Sequence, residues 1–520
     1  MGPPYEPARL KSDHSHCTCV GRPVPSLPGA ARGVVEPRDP SWKDAPRGGP
    51  VTSRGTRNAE SAAPAPRSNH RGSSCIEGWS SPSCLRFLPP RSAPLHRFLA
   101  TFAAGMLLAA STVVAQPARP SSPASTSWSG LAPGPHAVGY RLTYLEDASR
   151  TLLPDTTAPS TRDRMPGVAM RRVVPVRIWY PASAGASAPF ATIADIVADR
   201  PRGTVPPVAA PLRERTMSVH RYAGRRYARA GGATLADRDT AGLVAPALAT
   251  RTTARLGAPA GPGRHPLVVF AGGTAHTTDE NAALWEHLAS HGYVVAALPT
   301  VAALADAEGA YLPDDALGLE TLARDMEMVL ARLRSRADVD AARVAFAGFS
   351  FGGAASIVAA ARGRDVRAVV AFDGSLIARQ YQPIIRSSPL FDVRRVRVPL
   401  LEFHRADTST VDLGLVEAAE GSERTSIELS GLDHVDFNSY VLLYGPLLRR
   451  RGASPARDSA LLVKEATYRA MVETTVRFLD EALGGAPGDS TGTALALRAG
   501  GPVWSRVPAS TIRARRWPAR

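Results

Sequence analysis

Six short, almost uninterrupted apolar runs in the second half of the chain constrain its fold more than any other feature. They are residues 266–273 (PLVVFAGG), 293–300 (YVVAALPT), 343–350, 366–373 (VRAVVAFD), 398–404 (VPLLEFH) and 425–429 (TSIEL). A strand with one wet face alternates apolar and polar residues, whereas a strand covered on both faces reads as a continuous apolar run. Helical patterns separate the runs at about 279–290, 315–335, 353–361 and 458–483. Strand and helix in alternation specify an α/β fold, a mostly parallel, doubly wound sheet with helices on both faces. Residues 140–146 and 174–180 read as leading, antiparallel strands of the same sheet.

The third run passes into Gly348-Phe349-Ser350-Phe351-Gly352-Gly353 and then an alanine-rich helical pattern. Strand, sharp turn and helix with a serine at the apex suit an exposed nucleophile, because flanking glycines let the backbone turn sharply without a Cβ clash. In open α/β sheets functional groups gather at the carboxyl ends of the strands, which directs attention to the titratable residues there. Asp373 ends the next strand, and His434 follows the last in Gly431-Leu432-Asp433-His434-Val435-Asp436-Phe437. Serine, aspartate, histidine is the chain order of the α/β-hydrolase fold, which this alternation also fits. Ser350, Asp373 and His434 are therefore candidates for a nucleophile, an orienting acid and a general base. Asp407, shortly after the fifth run, competes with Asp373 as the acid. His404, within that run, is a weaker candidate base and reads as a core residue. Asp433 and Asp436 read as loop carboxylates, and His276, His287 and His291 as surface or packing residues.

Acyl transfer also needs donors for an oxyanion. On this fold they come from the backbone N–H after the nucleophile, here Phe351, and from the loop after the first parallel strand, here Ala271-Gly272-Gly273-Thr274, through Gly273 or Thr274. No His-Glu-x-x-His or Cys-x-x-Cys spacing occurs, so neither metal nor cofactor is expected.

Five segments together resemble the platelet-activating factor acetylhydrolases and their bacterial relatives: 134–139 (GPHAVG), Trp179-Tyr180-Pro181, 288–296 (LASHGYVVA), 348–353 and 431–437. The resemblance spans about residues 134–483. It implies a calcium-independent serine esterase that removes short acyl groups from a phospholipid-like or other small ester. It also places the acid at the end of the strand after the nucleophile, which favours Asp373 over Asp407. The chain departs from that family at Gly272-Gly273, where His-Gly is usual. An acyltransferase, a peptidase or a non-catalytic binding protein on the same scaffold are the alternative readings.

The remainder sorts by composition. Residues 1–90 are proline-dense without apolar period and are expected to be disordered or untranslated. Residues 91–115, with Arg91, Arg97, an apolar stretch and small residues before Gln116, read as a signal peptide, which implies a periplasmic or secreted protein. Residues 116–133 read as a linker and 134–485 as one hydrolase domain. Within it, 182–264 is an insertion before the first parallel strand, read as a cap or a surface excursion. Its basic-aromatic piece at 221–227 (RYAGRRY) suits an anionic head group. All four cysteines (Cys17, Cys19, Cys75, Cys84) precede Gln116, which excludes a cysteine nucleophile or disulfide beyond that point. Of the net charge of +16, residues 1–115 carry +7. The Arg-rich tail, 486–520, reads as disordered and solvated. It lacks a nucleic-acid recognition module, and the partner expected is a small ester or phospholipid-like substrate, with peripheral membrane contact.

Overall fold

The computed structural model describes residues 127–151, 171–198, 209–230, 237–274, 279–300, 312, 314–451, 454–484 and 502–520. Residues 1–90, expected to be disordered or untranslated, and 91–115, read from the sequence as a signal peptide, lie outside them, as do most of the linker and His276. Eleven strands form one sheet: β1 (Ala137–Thr151), β2 (Arg171–Ala182), β3 (Phe190–Thr192), β4 (Arg251–Leu256), β5 (His265–Ala271), β6 (Val294–Leu298), β7 (Val339–Phe349), β8 (Ala368–Phe372), β9 (Leu400–Arg405), β10 (Arg424–Leu429) and β11 (Ile512–Trp517). Their order is β11-β10-β9-β8-β7-β5-β6-β2-β1-β4-β3. The six runs read from the sequence are β5 to β10, all mutually parallel. The antiparallel pair β1 and β2 joins them through β6.

The helices are α1 (Ile193–Ala198), α2 (Ala209–Ala228), α3 (Asp237–Leu248), α4 (Ala282–Ser290), α5 (Ala316–Leu333), α6 (Phe351–Arg362), α7 (Gln382–Ser387), α8 (Gly414–Ala418), α9 (Tyr440–Arg450) and α10 (Pro455–Leu483). The central strands are apolar throughout because both faces are covered. In β7, Val344 and Phe346 join the core under α5 and α6, while Ala345, Ala347 and Phe349 join the core under α4, α9 and α10. Each helix supplies a stripe of matching period: in α5, Leu319, Leu322, Met326, Val329 and Leu333 are buried, and Asp315 caps its N-terminus by accepting from Gly318 N–H at 2.9 Å. On the other face, Trp285 packs 4.8 Å from Trp179 and 5.2 Å from Phe270, centroid to centroid.

Two regions depart from the sequence expectations. The insertion, read as a cap or a surface excursion, is built into the sheet and the core. Its strand β4 pairs in parallel with β1 and extends the sheet, and its helix α2 buries Val219, Ala223 and Tyr227 in the core that α9 and α10 share. The buried His220 fixes α2 further, with Nε2 2.7 Å from Asp279 Oδ2 and Nδ1 3.0 Å from Tyr444 Oη. The tail is ordered where it is described. Trp504 is buried in the same core, and β11 pairs antiparallel with β10, bringing Arg513, Arg516 and Arg520 to Glu428, Glu423 and Glu420. Three arginines in β11 mask its period, and its partner strand lies some 90 residues away, so no local pattern announces it.

Candidate active site

The turn after β7 is forced by its glycines. A Cβ on Gly348 would come within 2.2 Å of the Gly352 carbonyl carbon, and one on Gly352 within 2.0 Å of Ala271 O, so only glycine lets β5, β7 and the start of α6 approach so closely. Between them Ser350 adopts φ 54°, a conformation that L residues hold only when their surroundings impose it. Asp373, at the turn after β8, has φ 43°. Ser350 and Asp373 are the non-glycine residues with positive φ among those described. The two turns are tied together by backbone: Ser350 N–H donates to Phe372 O at 3.1 Å and Ser375 N–H to Ser350 O at 2.7 Å.

His434 reaches this pair from the turn after β10. That turn closes as a capping box, with Asp433 N–H donating to Asp436 Oδ2 at 2.7 Å, and Lys464 pairs with Asp436 from α10. The imidazole stacks on Phe349, centroids 4.7 Å apart. Its Nε2 lies 2.9 Å from Ser350 Oγ, and its Nδ1 2.5 Å from Asp373 Oδ2. Three residues spread over 85 positions thus form one hydrogen-bonded chain. Ser350 is 8 % exposed and the Asp373 side chain 1 %, while the His434 side chain keeps 23 %, enough to meet a substrate from solvent.

Burial pushes the Asp373 carboxyl up, but the hydrogen bond and charge of His434 and the charge of Arg405 outweigh it, and its pKa falls below the ordinary aspartate value. Glu402 differs. Burial drives its carboxyl well above the usual range, the Gly374 N–H at 2.9 Å opposes this, and the charge of Asp373 adds to it. Two adjoining carboxyls are thereby shifted in opposite directions.

The competing residues go elsewhere. Asp407 accepts from Ser409 Oγ at 2.6 Å and Thr410 Oγ1 at 2.5 Å and makes no contact with His434. Side-chain bonds from Ser409 and Thr410 hold its carboxyl far below the usual range. His404 is a core residue, its Nε2 2.8 Å from Ser426 Oγ and its basicity lowered by burial. His287 is buried, with basicity lowered by the same cause, and His291 Nδ1 lies 2.8 Å from His287 O. Asp436, read from the sequence as a loop carboxylate, is instead buried. It fixes the histidine turn and is not solvated.

The oxyanion candidates separate as well. Phe351 follows Ser350 at the first position of α6, and its N–H makes no hydrogen bond among the described residues. Gly273 packs against the nucleophile: a Cβ there would lie 3.0 Å from Ser350 Cβ. Its own N–H, however, is directed at Glu280 Oε1 at 3.4 Å, which corrects its candidacy as a donor. Thr300 Oγ1 holds the Gly273 carbonyl at 2.7 Å, and Thr274 Oγ1 bonds Asp314. The Thr274 N–H is left as the candidate donor on this loop.

Residues 252–409 match the dienelactone hydrolase family. The fold is that of the α/β-hydrolases, and this chain is an ester hydrolase built on it. The match covers Ser350 and Asp373 and stops before His434. A ferulic acid esterase from Streptomyces cinnamoneus is similar in structure, with 22 % identity over 69 % of this chain and 94 % of that one and a TM-score of 0.42. No curated protein sequence matches the chain. The family matched is thus dienelactone hydrolase, not the acetylhydrolases that the sequence resembles.

Sequence reasoning passed over Arg405, which contacts Asp373, and Glu402. Both were visible as charged residues on the buried strand β9, the kind of residue that a parallel core excludes unless it has a partner.

Proposed function

We propose that the ester hydrolase works through an acyl-enzyme on Ser350, with His434 as general base and Asp373 as its orienting acid. The observation that carries this reading is the chain Ser350 Oγ, His434 Nε2, His434 Nδ1, Asp373 Oδ2 at 2.9 and 2.5 Å. In the first half-reaction Ser350 Oγ attacks the acyl carbonyl as His434 takes its proton. The imidazolium, stabilised by Asp373, then protonates the departing alcohol. Water repeats the sequence against the acyl-enzyme and releases the acid. The N–H groups of Phe351 and Thr274 receive the negative charge on the carbonyl oxygen, a contribution of about 3–4 kcal/mol for each such donor. A fluorophosphonate probe tests the assignment: it should label the protein on Ser350, and Ser350→Ala should abolish both labelling and hydrolysis. Labelling that survives the substitution would contradict it.

For the substrate we propose short-chain acyl esters, phospholipid-like in the alcohol portion, as in the acetylhydrolases the sequence resembles. The supporting feature is a cavity of about 460 Å³ between α2 and the turn carrying His434, lined by Tyr222, Arg225, Arg226, Arg229, Asp433 and Lys464 among others. Arg226 pairs with Asp433, and Lys464 with Asp436. Arg225, in the last turn of α2, and Arg229, just past its end, have no ion pair among the described residues, so the cavity carries surplus positive charge suited to a phosphate. Export to the periplasm or medium is part of the same proposal and rests on residues 91–115. A panel of p-nitrophenyl esters from acetate to palmitate, run beside a short-chain phosphatidylcholine, tests the substrate. The proposal expects activity to fall with acyl length and the phospholipid to be cleaved; preference for palmitate, or no phospholipid turnover, would overturn it.

A further inference from the structure

Arg405 ends β9, the strand next to the one that carries Asp373, and its side chain is 10 % exposed. Its Nη1 donates to Asp373 Oδ2, the oxygen that also meets His434 Nδ1, and lies 3.4 Å from that nitrogen. Its backbone N–H donates to Asp373 Oδ1 at 3.2 Å, so a single residue contacts both carboxylate oxygens. The rest of the guanidinium is held from behind. Nη2 donates to Thr410 Oγ1 at 3.1 Å, Thr410 Oγ1 donates to Asp407 Oδ2 at 2.5 Å, and Nε lies 3.6 Å from Asp407 Oδ2. A cation is thus fixed against the orienting acid by a second acid that the histidine never touches.

The consequence follows from charge. An unaccompanied aspartate stabilises imidazolium and makes histidine a stronger base, retaining its proton to higher pH. A cation bonded to that aspartate and close to Nδ1 opposes the imidazolium. The other groups around His434 do not duplicate this effect. Phe349 and the Ser350 hydroxyl are neutral, and burial raises the Glu402 carboxyl beside Asp373 well above the usual range. Asp433 and Asp436, flanking His434, are paired with Arg226 and Lys464. His404, on the same strand as Arg405, is bonded to Ser426.

We propose that Arg405, held in place by Asp407 through Thr410, is a positioning residue that partly neutralises Asp373 and lowers the pH above which His434 serves as base. It extends hydrolysis toward acid. The proposal rests on the triad reading above, whose own failure is read separately by Ser350→Ala.

The test is the pH dependence of kcat/KM for p-nitrophenyl acetate in the wild type, Arg405→Met, Arg405→Lys and Asp407→Asn, each checked for a cooperative thermal transition. Arg405→Met should move the midpoint of the acid limb up by about one pH unit, the lower end of the range for a neighbouring charge. Arg405→Lys should restore most of the wild-type midpoint, and Asp407→Asn should shift it the same way by less. A midpoint that stays fixed while the rate falls at every pH would mean that Arg405 merely supports the fold, and the proposal would be overturned. So would a profile that does not change at all. If Arg405→Met fails to fold, Asp407→Asn decides: an upward shift supports the proposal and an unmoved midpoint overturns it.

Discussion

The parallel half of the sheet, β5 to β10, and the outer elements around it share backbone ladders but differ in what is added to them. In the parallel half, adjacent strands are joined by parallel ladders, and the turns bearing Ser350 and Asp373 are bonded directly to each other's backbone. The outer elements are α2 and β4 from the insertion and the terminal strand β11. To the backbone ladders that β4 makes with β1 and β11 with β10 they add side-chain ties distant in sequence, such as His220 to Asp279 and Tyr444, Tyr227 Oη to Val435 O at 3.2 Å, and Arg513 and Arg516 of β11 to Glu428 and Glu423. The lesson is a division of labour. The parallel half can hold strained backbone at φ 54° and 43° because regular hydrogen bonds surround it, while the outer elements shape what approaches.

Substitutions at the two carboxyl-bearing turns are the strongest way to break this comparison. Asp373→Asn should reduce kcat/KM roughly ten-thousandfold, the loss expected when the base has the wrong tautomer. Asp407→Asn should cost less than about tenfold at pH 8, since it acts only through Arg405. Steady-state kinetics on p-nitrophenyl acetate decides between them, and the reverse ranking would move the acid to Asp407. Next in size, Gly352→Ala should destabilise the parallel half by about 3 kcal/mol or more, because the new Cβ has backbone and not a movable side chain in its way. Urea unfolding measures this directly.

Effects in the outer elements should be smaller and selective. Arg225→Ala with Arg229→Ala should raise KM several-fold for a short-chain phosphatidylcholine. The same pair should leave p-nitrophenyl acetate within about twofold, because the neutral ester gains nothing from the cations. Equal losses on both substrates would place the cavity outside substrate binding.

The smallest effect sharpens the account of the buried acid. Glu402 has its folded pKa raised, so its contribution to stability is fully present below the unfolded value near 4.5 and is lost as pH rises toward the folded one. Glu402→Gln should therefore change stability little at pH 5 and appear relatively more stable at pH 8. Thermal denaturation at the two values reads the difference, and an equal effect at both would contradict the upward shift of Glu402.

What the sequence revealed follows the same division. The strands β5 to β10 are legible because burial on both faces writes apolarity into consecutive residues, and the turn at Ser350 because only glycine fits at 348 and 352. Asp373 and His434 could be proposed because strand ends on such a sheet converge in space. Arg405 escaped notice because its meaning depends on a partner 32 positions earlier. The direction of the Gly273 N–H toward Glu280 is likewise a product of loop geometry that two adjacent glycines leave open. In β11, charged residues conceal a strand whose order comes from pairing with β10 and from the burial of Trp504 nearby.

The most direct test of the central claim is to trap the acyl-enzyme. The protein would be mixed with p-nitrophenyl acetate, quenched in acid within one turnover and digested, and the peptides weighed. An acetyl group on the peptide containing Ser350, gone after longer incubation and absent from His434→Ala, is the predicted result. Hydrolysis that proceeds at the wild-type rate with no acylated Ser350 at any time would contradict it.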